Sequence, residues 1–265
     1  MSKIGIVIIA TNTYFPLGIR LIKQIEHYYK TNKEIEFYFF SDTEPFEYIN
    51  EKTKIKFYEE YHKNWVEGVG SKFKNIIKTI EENFSDFKND DYILFLDADT
   101  SINRIFYDSD FLEDIIACEH FGNETYMKDD KHFERNSNFQ CHIPKNTKNE
   151  EIYVYGFVMG GVVPKFYEAM KKIKKMQDID RSKNLEPRWN DESYWNHYIH
   201  YNKPKLLHKE LDFFNVSHKG GGLSTRSITK NREYYKTLEQ LKKYKNKLIE
   251  IENKEVKILK ENENE

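Results

Sequence analysis

Tyr92-Ile93-Leu94-Phe95-Leu96-Asp97-Ala98-Asp99 is a short apolar run that stops abruptly on two carboxylates spaced one residue apart. Five apolar residues in succession predict a β-strand buried on both faces. Such a strand has no structural reason to finish on two charges. Burying an ionised carboxylate is costly, and two close together repel each other. A divalent cation resolves both costs. Asp97 and Asp99 would project from the carboxyl end of a parallel strand, where open α/β sheets bind their ligands. Hard oxygen ligands from only two side chains suit Mn2+ or Mg2+, which complete their octahedra with water and phosphate oxygens. The diphosphate of a sugar nucleotide supplies such oxygens. A plain surface turn is the other reading of the same two residues.

The flanking sequence repeats the pattern. Ile4–Ala10 is a β-branched run that ends in the polar turn Thr11-Asn12-Thr13-Tyr14, before a helix with Leu21, Ile22, Ile25, Tyr28 and Tyr29 on one stripe. Ile35–Phe40 predicts a second buried strand. Lys54–Tyr58 alternates, as an edge or half-exposed strand does. Phe73, Ile76, Ile77, Ile80 and Phe84 predict a helix from about Lys72 to Phe84. Strands alternating with amphipathic helices over the first hundred residues make a Rossmann-like half. Residues 123–150 are polar and without period, as in a long loop over a site. Tyr153–Val163 is apolar and carries the paired glycines Gly160-Gly161. Helices are expected from Pro164 through Met176 and from near Asn190, with two more strands in 204–217 and a flexible break at Gly220-Gly221-Gly222.

Composition narrows the function classes. Lys plus Arg number 42 against 44 Asp plus Glu, and a net charge of −2 argues against a dedicated nucleic-acid binder. The two cysteines, Cys118 and Cys141, are too few for a disulfide framework and read as reduced thiols. No stretch approaches the ~20 apolar residues of a membrane span. The apolar N-terminus reads as a strand, not a signal peptide. The expectation is a cytoplasmic protein, with peripheral contact at the inner membrane left open. Residues 1–235 are expected to form a single domain. Residues 236–265 form a Lys/Glu-rich tail that suits a solvated amphipathic helix packed on the domain, or a surface touching a membrane or partner.

A second constellation follows the Asp pair at a distance. Trp189-Asn190-Asp191-Glu192-Ser193 has a plain reading, with Asn190 capping a helix and the acids favoured by its dipole. It also has the composition of a sugar site, in which an aromatic face stacks on a pyranose and carboxylates engage hydroxyls or the anomeric carbon.

With these residues in view, the chain resembles glycosyltransferase family 6, which contains the blood-group A and B transferases and α-1,3-galactosyltransferase. The family's Trp-His-Asp-Glu-Ser block is matched by Trp189–Ser193, with Asn190 in place of histidine. Its Tyr-Tyr…Gly-Gly block is matched by Tyr153-Val154-Tyr155-Gly156-Phe157-Val158-Met159-Gly160-Gly161. His120-Phe121-Gly122 and Phe133-Glu134-Arg135…Ile143-Pro144 are similar to two further segments, and Asp97-Ala98-Asp99 to the family's Asp-x-Asp motif.

The resemblance implies an α/β fold of GT-A type, Rossmann-like, with a mixed central sheet flanked by helices. It implies a retaining transfer of galactose or N-acetylgalactosamine from a UDP-sugar to a galactoside in a glycan or lipid-linked acceptor, forming an α-1,3 bond. Ala10, Thr11, Asn12 and Tyr14 would cradle the uridine. Asp97 and Asp99 would hold Mn2+ (or Mg2+) and the diphosphate. Asp191 would bind donor hydroxyls, and Glu192 would be the acid opposite the leaving group. Trp65 and Lys72 would belong to the donor site, with Lys72 standing where the family has arginine. Lys230, in Thr229-Lys230-Asn231, would close on the diphosphate. His120, Tyr155, Phe157 and Trp189 would meet the acceptor, Tyr155 and Phe157 at positions that tune sugar specificity.

Three other readings compete. Leu96-Asp97-Ala98-Asp99-Thr100 also fits glycosyltransferase family 8, whose C-terminal metal-ligand histidine would be His218 in His218-Lys219-Gly220-Gly221; the Trp189–Ser193 block and the paired glycines favour family 6. A non-catalytic sugar-binding protein using Ca2+ would carry a denser carboxylate cluster. A nucleotidyltransferase would need a glycine-rich phosphate loop, which is absent.

Overall fold

A computed structural model of the chain describes residues 2–102, 105–120, 132–145, 152–206 and 214–216. In chain order the strands are β1 (Lys3–Ile9), β2 (Tyr29–Lys30), β3 (Glu34–Ser41), β4 (Ile55–Glu59), β5 (Tyr92–Asp97), β6 (Thr100–Ile102), β7 (Phe106–Tyr107), β8 (Ile115–Glu119), β9 (Val154–Val162) and β10 (Phe214–Val216). Six of them form the central sheet in the order β4-β3-β1-β5-β9-β8. It is a mixed sheet: β3 and β4 run parallel, whereas β8 and β9 are antiparallel. The principal helices are Phe15–Tyr28, Trp65–Glu82, Val163–Ser182 and Asn190–Asn202. This is the mixed α/β architecture expected of a GT-A type fold.

The chain divides into two compact units. One gathers the described residues within 1–5, 63–95 and 111–211, the other those within 6–62, 96–110 and 212–265. In the first unit, the helices Trp65–Glu82, Val163–Ser182 and Asn190–Asn202 pack on one another, and the last two also pack on β9. Phe73 meets Tyr194 edge to face at 6.4 Å, and Phe166 meets Trp195 the same way at 6.3 Å. These aromatic side chains supply the buried volume that the aliphatic content does not. Gly160 lets β9 approach β5, since a Cβ there would come within 2.6 Å of the Ile93 carbonyl oxygen. Gly161 has φ +154, a value L side chains rarely adopt.

In the second unit, Phe40 stacks on Tyr58 at 4.5 Å across the β3–β4 pair. The parallel pair β2–β7 is closed by Tyr29 stacked on Phe106 at 4.6 Å. β10 pairs antiparallel with β6. Strand β4, at the sheet's edge, is half-exposed along its length, as its alternation predicts.

Several local expectations are corrected. The helix predicted from about Lys72 begins earlier, at Trp65, because the Asn64 side chain caps the Glu67 amide at 3.0 Å. Phe84 leaves its stripe: the helix ends at Glu82, and Phe84 stands 67% exposed in the following 3-10 turn. Tyr29 has left its helix for β2. The third helix runs on to Ser182. Strand β8 has no counterpart in the sequence reading. Of residues 204–217, the described part holds one strand, Phe214–Val216. Among the described residues no helix is long and apolar enough to cross a membrane. Gly220-Gly221-Gly222, Lys230 and the 236–265 tail lie outside the described residues. Cys118 and Cys141 are buried free thiols.

Candidate active site

Two groups of the expected residues occur, one in each unit. In the first unit, the block Trp189–Ser193 opens the helix Asn190–Asn202. Asn190 does not cap it. Trp189 occupies the cap position without a side-chain cap bond, and Asn190 itself is in the left-handed region at φ 46. Asparagine tolerates that conformation better than most residues. The turn is tied by the Trp189 N–H, which donates to Ser193 Oγ at 3.2 Å.

Asp191 and Glu192 are adjacent carboxylates with different partners. Lys72 Nζ donates to Asp191 Oδ2 at 2.5 Å and to the Gly156 carbonyl at 2.9 Å, while lying 4.7 Å from the Phe95 ring centroid. Both members of this ion pair are buried. Glu192 receives neutral donors instead: the Tyr153 hydroxyl at 2.5 Å on Oε1 and the Gly156 N–H at 2.7 Å on Oε2. Burial raises the Glu192 carboxyl to about 7; its bonds to Tyr153 and Gly156 oppose the rise, Asp191 adds to it, and Lys72 opposes it. Burial, with the Glu192 contact adding to it, pushes the Tyr153 phenol far above its ordinary range. Gly156 packs tightly against both acids. A Cβ on it would meet Glu192 Oε2 at 3.1 Å and Asp191 Oδ2 at 3.3 Å.

An aromatic and imidazole cluster borders these acids. His120 lies 4.1 Å from Tyr155 and 5.9 Å from Tyr153 between ring centroids, and Tyr155 lies 4.8 Å from Phe157. His132 stacks on Trp189 at 6.0 Å, with Arg188 on that indole at 5.4 Å. Burial, reinforced by His132, lowers His120 to about 4, so the imidazole is neutral at ordinary pH. Trp189 keeps 40% of its surface exposed, available for stacking. Phe157 is buried.

In the second unit, Asp97 ends β5 and Asp99 sits in the turn leading to β6, both half-buried. Arg20 binds the main-chain carbonyls of Asp99 and Thr100, each at 3.4 Å, and so helps fix the turn. Among the described residues no group of three or more His, Cys, Asp or Glu side chains forms a metal cage. Two partly solvated carboxylates fit an ion that retains water and shares phosphate oxygens. Ala10, Thr11, Asn12 and Tyr14 form the turn after β1; Asn12 is left-handed at φ 56, and its N–H is held by Asp42 Oδ1 at 2.8 Å. Trp65 opens its helix, and its side chain lies outside the described residues.

A family model for glycosyltransferase family 6 matches residues 2–250. The chain belongs to glycosyltransferase family 6. The O-antigen biosynthesis glycosyltransferase WbnI of Escherichia coli is 27% identical over 173 residues, covering 65% of this chain and 71% of that protein. Globoside alpha-1,3-N-acetylgalactosaminyltransferase 1 of Gallus gallus is 24% identical over 212 residues, covering 78% of this chain and 60% of that protein. The chain therefore spans less than two thirds of the chicken protein's length.

Three contributors to this glycosyltransferase's acidic site were not singled out from sequence as site residues. Tyr153 and Gly156 are the direct partners of Glu192. Asn196 accepts from the Val154 N–H at 2.8 Å and donates to the Val154 and Glu192 carbonyls at 2.9 Å each, docking the helix on β9. Gly156 had a signal, a lone glycine in an apolar run, which marks a close approach. Asn196 had none, because its partner lies on another element.

Proposed function

We propose that this family 6 chain is a metal-dependent retaining transferase. It moves galactose or N-acetylgalactosamine from a UDP-sugar to a galactoside in a glycan or lipid-linked acceptor, forming an α-1,3 bond. The observation that carries this reading is the Glu192 carboxyl held between Tyr153 and Gly156, beside the Lys72–Asp191 pair. A carboxylate oriented by neutral donors keeps its negative charge available to a positive centre, and an anomeric carbon becomes positive as UDP departs. The N-acetylgalactosaminyltransferase among the relatives supports the donor class and the linkage.

In this reading Glu192 is the nucleophile or the stabiliser of the oxocarbenium-like state, and Asp191 accepts hydrogen bonds from donor hydroxyls. Lys72 orients Asp191, and Trp65 belongs to the donor site. Ala10, Thr11, Asn12 and Tyr14 receive the uridine. Asp97 and Asp99 would hold Mn2+ or Mg2+, which when bound neutralises charge on the departing diphosphate. His120, Tyr155, Phe157 and Trp189 receive the acceptor, where a neutral imidazole can both donate to and accept from hydroxyls. The bulk of Phe157 restricts the sugar's substituents.

UDP release from a panel of UDP-sugars, with and without Mn2+, tests the proposal. Release from UDP-galactose or UDP-N-acetylgalactosamine that requires Mn2+ and rises with a galactoside acceptor is the expected result. No release from any donor would overturn it.

A further inference from the structure

We propose that His62, which no motif of the chain marks, is a positioning residue that holds the nucleotide-binding turn in its competent shape. The inference rests on the donor site proposed above and concerns Thr11 and Asn12 within it.

The turn is gripped on two sides. Ala10 donates its N–H to the Phe40 carbonyl at 2.8 Å and accepts from Ser41 Oγ at 2.7 Å, and Asp42 holds the Asn12 N–H. On the other side stands His62 alone among the described contacts. Its main-chain carbonyl accepts from Asn12 Nδ2 at 2.9 Å, and its Nδ1 lies 3.2 Å from Thr11 Oγ1. The other ring nitrogen, Nε2, lies 3.1 Å from Glu60 Oε1. Glu60 is itself anchored, its N–H donating to the Ser41 carbonyl at 2.9 Å.

In the neutral form of the ring these contacts assign the tautomer. An ionised carboxylate only accepts, so Nε2 carries the hydrogen that faces Glu60. In the neutral ring Nδ1 is then an acceptor, and the Thr11 hydroxyl donates to it. Thr11 and His62 are 8% and 5% exposed, and the hydroxyl's one hydrogen is committed to His62. Asn12 is in the left-handed region at φ 56, which asparagine tolerates, and its N–H and side chain are held by Asp42 and by the His62 carbonyl. His62 braces the turn at Thr11 through its ring and at Asn12 through its main chain.

The experiment is calorimetric titration of the full chain with UDP in the presence of Mn2+, paired with steady-state kinetics. His62→Ala should weaken UDP binding about 5- to 30-fold, because the turn would then have to be ordered when the nucleotide binds. Donor KM should rise, while kcat at saturating donor and acceptor KM stay near wild type. His62→Asn can place an amide oxygen where Nδ1 stood and should restore most of the affinity. His62→Gln, which reaches Glu60 instead, should restore less. Wild-type affinity in His62→Ala, or Asn no better than Gln, would overturn the assignment. If His62→Ala does not fold, the Asn and Gln variants decide. Failure of the wild-type chain to bind UDP would instead overturn the donor reading, and this inference with it.

Discussion

The Tyr153 hydroxyl donates to Glu192 Oε1 at 2.5 Å, from the residue that leads into β9 to the first turn of the helix Asn190–Asn202. With the Gly156 N–H on the other oxygen, it fixes both faces of a carboxyl that burial lifts to about 7. The group is therefore balanced between its two protonation states near neutral pH, and its ionised form is the one oriented for chemistry.

Glu192→Gln should lower kcat by roughly two to four powers of ten, equivalent to about 3–5 kcal/mol of barrier. UDP-sugar affinity should change much less, because the interaction strengthens only as positive charge develops. Single-turnover rates together with donor titration separate the two effects. Near-normal turnover in this variant would sink the assignment.

Tyr153→Phe removes a bond that favours the ionised form, so the Glu192 carboxyl should rise further. Activity that needs the carboxylate increases with pH through that value, on a limb that begins near 7 in the wild type. The variant's acidic limb should move to higher pH, with a smaller loss of rate well above it. A pH profile of kcat/KM is the measurement, and an unmoved limb would show that Tyr153 does not act through Glu192.

Lys72→Met should destabilise the protein by about 3–5 kcal/mol, because Asp191 would be left buried without its cation. The double variant Lys72→Met/Asp191→Asn should lose less than the two single losses added together. Urea unfolding of the four proteins closes this cycle. Strict additivity would mean the pair is not coupled.

Asp99→Asn should reduce Mn2+-supported transfer by about two powers of ten or more, roughly 3 kcal/mol. Its far-UV circular dichroism should stay that of the wild type, since asparagine retains the main-chain carbonyl that Arg20 holds. Chelation of the wild type should abolish transfer and added Mn2+ restore it. Activity undiminished in chelator would count against a metal role for Asp97 and Asp99.

Much of the fold was legible because its signals are local. β1, β3 and β5 are largely apolar runs, and each appears where its run lies. The run Tyr153–Val163 with its paired glycines became β9, and Gly160 makes a close approach to the β5 backbone. Strand β8 was not legible. Ile115-Ile116-Ala117-Cys118 is too short a run to separate from loop, and it becomes a strand by pairing antiparallel with β9 across the intervening segment. Phe84 fits a helical period, but the helix ends before reaching it. A period shows which residues share a face, and it does not show where the hydrogen-bonded ladder stops.

The acids at 97, 99, 191 and 192, their spacing and the elements that carry them are properties of the sequence, and together with the glycines they sufficed to suggest the family. What each acid is paired with was decided only by the tertiary structure. Asp191 and Glu192 are neighbours of nearly the same chemistry. Yet a lysine 119 residues away neutralises the first, while a tyrosine 39 residues away and a strand amide hold the second. Ionisation depends on the water a carboxyl loses and on the charges and donors that replace it. Those are contributed by segments far apart in the chain, and they exist only once it has folded.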